Sequence, residues 1–131
     1  GIAYYWKGDL IQARLCFDRA QKILSSVRFP WKEELLEFYQ SLIACQQGDQ
    51  EKVAAYLARK ERTMNPSANS RDKGMVHYLL AYLSDQKEKG EELAPALRTF
   101  LKEDKNYYKK VAEQHLNPYR DRQLLKKLKD M

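Results

Sequence analysis

The first twenty-four residues carry a spacing that few folds satisfy. Small residues stand at Gly1, Ala13 and Ala20, with the large Tyr4 and Phe17 between them. In the middle lies Gly8-Asp9. Glycine accepts the left-handed backbone that ends a helix, and aspartate accepts hydrogen bonds from the open N–H groups of the next one. Two helices joined this tightly lie side by side and antiparallel, and small residues suit the places where their backbones come closest. The Gly-Asp pair returns at Gly48-Asp49, forty residues on. These features predict an all-α chain built from repeated helical hairpins.

Counted from Gly1, an aromatic falls three residues on, an alanine twelve, a phenylalanine sixteen and an alanine nineteen. This spacing resembles the tetratricopeptide (TPR) repeat. The resemblance implies stacked hairpins in an α-α superhelix, closed by a C-terminal capping helix. The Trp and Leu of that pattern would precede Gly1, so the chain is expected to be the C-terminal part of a larger protein. The forty-residue offset exceeds the usual period of about 34 and predicts a longer first connection.

Helices are expected to about Lys7, over Leu10 to Ser26, from Pro30-Trp31 and over Gln50 to Thr63. Further helices are expected over Arg71 to Lys87, from about Ala94, over Tyr107 to Leu116 and over Pro118 to Lys129. Asn65 to Ser70 reads as a turn cluster. One TPR-like domain results: a truncated repeat over about 1–28, hairpins over 30–64 and 70–104, and terminal helices over 106–131.

Composition narrows the function classes. At 131 residues, with 44% hydrophobic and 32% charged side chains, the chain can bury a modest core and is unlike a disordered one. No apolar run approaches the roughly 18 residues that cross a bilayer, so no membrane partner is expected. Cys16 and Cys45 both fall inside helical patterns and read as free thiols of a reducing cytoplasm. His77 and His115 lack metal-ligand spacing. There is no phosphate-binding glycine loop and no nucleophile motif. Enzyme is the least favoured class, and neither cofactor nor metal is expected.

The aromatics point elsewhere. By the repeat register Tyr5, Phe38, Tyr39, Tyr78 and Tyr82 fall at or near the concave wall of a stack, where rings with polar tips suit an extended peptide. Core packing is the competing reading. Gln46, Asp72, Asp85 and Gln86 are candidates for polar contacts to a peptide. Basic residues gather late: Lys102, Lys105, Lys109, Lys110, Arg120, Arg122, Lys126, Lys127 and Lys129. They read as a solvated surface or as a face for nucleic acid, without a helix-turn-helix to enter a groove.

Three stretches carry a second resemblance: Asp72-Lys-Gly-Met-Val-His77-Tyr78-Leu-Leu-Ala81, Phe100-Leu-Lys-Glu-Asp104-Lys-Asn106 and Leu124-Leu125-Lys-Lys-Leu128. From about Leu35 onward the chain resembles the bacterial cytoplasmic receptors for short signalling peptides, of the Rap, Rgg, NprR, PlcR and PrgX type, and most of all the phage arbitrium receptors. The resemblance implies that Asp104 meets an arginine of the peptide and that Asp72 lies near a polar peptide contact. It implies a homodimer through the terminal helix at Leu124, Leu125 and Leu128. DNA would be bound only through a helix-turn-helix segment that this chain does not contain. The expected function is a peptide-binding module of a quorum-sensing or lysis-lysogeny regulator. The site residues are Asp104, Asp72, Tyr78, Tyr82, Phe38, Tyr39 and Gln46. The alternative is a general scaffold that docks an extended segment of a partner protein.

Overall fold

The computed structural model describes residues 2–26, 30–63 and 70–131. They form α1 (Ile2–Lys7), α2 (Leu10–Ser26), α3 (Pro30–Gln46), α4 (Gln50–Thr63), α5 (Ser70–Glu88), α6 (Pro95–Arg98), α7 (Lys105–His115) and α8 (Arg122–Asp130). No strand occurs among the described residues, and the fold is all-α. Gly1 and the turn expected at Asn65 to Asn69 lie outside the described residues. The chain divides into two compact units, Gly1–Tyr56 and Leu57–Met131.

In the first unit the two Gly-Asp pairs build the same turn. Gly8 has φ +86°; its N–H donates to the Tyr5 carbonyl at 3.0 Å, and the Asp9 N–H reaches the Tyr4 carbonyl at 3.0 Å. Asp9 Oδ1 then accepts from the Gln12 N–H at 3.1 Å and caps α2. Forty residues later Gly48 has φ +82°, its N–H donates to Cys45 at 3.3 Å, and the Asp49 N–H donates to Ala44 at 2.8 Å. Asp49 Oδ1 accepts from the Lys52 N–H at 3.3 Å and caps α4. Each turn satisfies the last carbonyls of one helix and the first N–H groups of the next. That is why α2 and α4 take the bounds expected of them.

The core of this unit is an aromatic cluster around Tyr39 of α3. The Tyr39 ring meets Tyr5 edge-on at 5.5 Å and lies nearly parallel to Phe17 of α2 at 5.8 Å. Trp6 Nε1 donates to the Tyr39 hydroxyl at 3.3 Å. Gln46 Nε2 donates to the Tyr5 hydroxyl at 2.9 Å. Buried hydroxyls need such partners. Ala13 is fully buried, as its place in the small-residue spacing requires.

The second unit is arranged along α5. Its principal partner is α7, with α8 packed beside it. A β-carbon built on Gly74 would lie 2.8 Å from Leu116 Cδ2 and 2.9 Å from Leu116 Cγ, so α5 and the end of α7 touch with no room for a side chain. The hairpin expected over 70–104 has a shorter second arm than the sequence pattern suggests, because α6 has only four residues. A side chain of the following helix takes over there. The Tyr108 hydroxyl accepts from the Lys102 N–H at 2.7 Å and the Glu103 N–H at 2.9 Å, and donates to the Phe100 carbonyl at 3.2 Å.

The last helix also starts later than expected. Asn117 Oδ1 accepts from the Tyr119 and Arg120 N–H groups at 2.8 and 3.0 Å, as a cap would. Asp121 then leaves helical geometry, with φ −109° and ψ 31°. Its buried carboxylate accepts from the Asn117 N–H at 3.0 Å and pairs with Arg71 of α5 at 2.9 Å. The pair fastens the entry of α8 to the start of α5.

Gly74→Ala tests the close approach. An alanine would gain about 1 kcal/mol of helix propensity. Displacing the buried Leu116 costs about 1–3 kcal/mol. We expect a net loss of about 1 kcal/mol in chemical denaturation. A stabilised variant would mean that Leu116 moves aside freely.

Candidate functional site

Most of the aromatic residues expected to line a peptide groove are buried. Phe38 and Tyr39 are buried in the core of the first unit, and Tyr78 is buried in the second. Of the five candidate rings only Tyr82 is half-exposed. The TPR-like register put them on a concave wall, but Tyr39 packs against Tyr5, Phe17 and Phe38, and Tyr78 is almost fully buried. Gln46 is exposed, with its amide turned to the Tyr5 hydroxyl.

The terminal leucines are likewise occupied. Leu124 and Leu128 are 2% and 0% exposed within their own chain, and Leu125 is half-buried. The face assigned to a homodimer contact is therefore internal. Its residues lie three and four apart, the spacing of a helix stripe, and that stripe is consumed by packing inside the unit.

The acidic candidates have distinct surroundings. Asp104 is exposed and caps α7, its Oδ1 accepting from the Tyr107 N–H at 2.9 Å. Its neighbour Tyr107 is also exposed. Asp72 lies 3.8 Å from the buried ammonium of Lys60. Burial pushes the Lys60 pKa down, while Asp72 opposes the shift. Asp85 bonds Lys89 at 2.9 Å and Lys105 at 3.2 Å, and Lys105 also reaches Glu88 at 2.7 Å. Desolvation raises the Asp85 pKa, but the two lysines outweigh it and hold the carboxyl below its usual value. This group ties the end of α5 to the start of α7, so Lys105 does not belong to a free basic surface.

His77 sits in the α5–α7 seam. Its Nδ1 donates to the Lys73 carbonyl at 2.7 Å, a tautomer assigned from that bond, and its ring faces Tyr107 and Tyr108 at 6.5 and 6.2 Å. Burial lowers its pKa from 6.5, the Lys73 carbonyl opposes this, and the charges of His115 and Lys73 reinforce it. The thiol of Cys45 is pushed up to about 12 by burial and is unreactive. Among the described residues no three His, Cys, Asp or Glu side chains gather to hold a metal ion. No helix among them is long and apolar enough to cross a membrane.

An open apolar concavity lies in the first unit. A groove of about 290 Å³ runs past Ile2 of α1, along Ala20, Ile23 and Leu24 of α2, and against Leu35 and Leu36 of α3, with Phe17 also in its wall. Ile23 is 66% exposed, and Ile2 is exposed as well. The periodicity of α2 could have revealed the groove wall, because Ala20, Ile23 and Leu24 continue its apolar stripe.

No protein-family model, no curated protein and no solved structure matches this chain.

The pH response of the seam follows from His77. Its folded pKa is below the unfolded 6.5, so the stabilisation is present above about pH 6.5 and is lost as pH falls from there towards the folded value. Denaturation midpoints should therefore drop between about pH 7.5 and 5.5. His77→Asn should flatten that dependence; an unchanged slope would assign the effect to other groups.

Proposed function

We propose that this chain is a docking module of helical hairpins whose first unit receives apolar side chains from a peptide or from a segment of a partner protein. The observation that carries the reading is the open apolar groove beside Ala20, Ile23 and Leu24. Burying one aliphatic side chain there contributes about 1.5–3 kcal/mol, enough to anchor a short segment with modest affinity. Two features support a repeat architecture: the Gly-Asp turn recurs with the same hydrogen bonds forty residues apart, and small residues mark the close approaches of helices. A TPR-like superhelix is the form this reading gives to the whole.

The more specific form is a peptide-responsive regulator working in the cytoplasm, by resemblance to the signalling-peptide receptors. It would use the exposed Asp104 to pair with an arginine of the peptide. That carboxylate has one oxygen on the Tyr107 N–H and sits beside an exposed aromatic ring, which suits a guanidinium. The burial of Phe38, Tyr39 and Tyr78 removes the aromatic wall from this picture, so the apolar groove takes its place as the anchor. A general scaffold needs the groove alone.

A library of short peptides with aliphatic anchors, half of them also carrying an arginine, tests both forms by fluorescence titration. We expect Ile23→Asp to weaken binding at least tenfold while leaving the denaturation midpoint near that of the parent, since Ile23 is largely exposed. Unchanged binding would exclude the groove. Asp104→Asn keeps a capping side chain and removes the charge. Loss of the preference for arginine peptides in that variant favours the regulator, and no preference in the parent favours the scaffold.

A further inference from the structure

The basic residues near the C-terminus are not absorbed by the docking groove. We infer that α8 and the turn before it form a binding face for single-stranded nucleic acid. α8 carries four basic side chains and one acidic one, Asp130. Arg122, Lys126 and Lys129 are spaced four and three apart, all exposed, and so lie in one line along the helix. The line spans about 10 Å, with neighbours about 5–6 Å apart at Cβ. It lies opposite Leu124 and Leu128, which are buried inside the unit.

The carboxylate that could neutralise the start of this line is withdrawn. Asp121 is buried and bonded to Arg71 and to the Asn117 N–H. The same bonds stiffen the turn that displays Tyr119, whose ring is 91% exposed. Asn117 Oδ1 fixes the backbone of Tyr119 itself at 2.8 Å. An aromatic ring standing clear on a rigid turn, three residues before a line of cations, supplies both elements that single strands use: phosphate attraction and base stacking. A membrane surface fits less well, because α8 has no apolar stripe left to insert. An acidic peptide would use the cations but would have no need of an isolated exposed ring.

The test uses the whole chain and a fluorescent single-stranded oligonucleotide of about twelve nucleotides, measured by anisotropy at about 50 mM salt. Sodium polyglutamate and vesicles containing phosphatidylserine serve as competitors. Binding should weaken with salt, with a log–log slope of about −2 for three phosphate contacts. Replacing Arg122, Lys126 and Lys129 together by alanine should remove most of that slope. Tyr119→Ala should weaken oligonucleotide binding about tenfold, with Tyr119→Phe close to the parent. All four positions are exposed, and circular dichroism would verify that the variants fold. Three results would each overturn the inference: no binding by the parent chain, a Tyr119→Ala variant that binds as the parent does, or equal competition by polyglutamate or vesicles.

Discussion

The absence of a β-carbon at Gly74 sets the spacing on which the second unit depends. With Leu116 pressed against that position, α7 lies close enough along α5 for Tyr108 to be buried and for His77 to face both tyrosines. Tyr108 in turn holds the backbone from Phe100 to Glu103 with its hydroxyl, which ends α6 after a single turn. At one end of the seam Asp121 and Arg71 bind the entry of α8 to the start of α5. At the other, Lys105 links the start of α7 to Asp85 and Glu88. One close backbone contact thus brings four polar fastenings into range. Such fastenings are specific because a buried polar group left without its partner is costly.

The first unit is built on a different constraint. Its two turns are local, each closed by a glycine at positive φ and an aspartate cap, and they recur without change forty residues apart. The ring of Tyr39 then gathers side chains from α1, α2 and α3 into one cluster. An apolar groove lies beside the cluster, where Ala20, Ile23 and Leu24 continue the stripe of α2 and face Leu35 and Leu36 of α3.

The two proposed faces use different physics. The groove offers apolar area and little charge, so its affinity depends on buried surface and changes little with salt. The α8 face offers cations and one exposed ring, so its affinity falls as ionic strength rises. The two are therefore separable by salt alone. They also draw on separate residues, Ile23 on one and Arg122, Lys126 and Lys129 on the other.

Local chemistry was legible in the sequence. The bounds of α2 and α4 follow from Asp9 and Asp49, because a cap acts on N–H groups within three residues of itself. The all-α class follows from the hairpin spacing and the scarcity of glycine and proline. What the sequence could not decide is which of several apolar faces each aromatic would turn inward. Phe38, Tyr39 and Tyr78 suit a wall or a core equally well by periodicity, and only packing against neighbours distant in sequence placed them in the core. The same holds for Asp121, whose partner Arg71 lies fifty residues away, and for the ring of Tyr108, which meets His77 of α5. A helix period fixes which side chains share a face; the tertiary structure alone decides what that face meets, because burial is a property of two surfaces and the sequence of one element describes only its own.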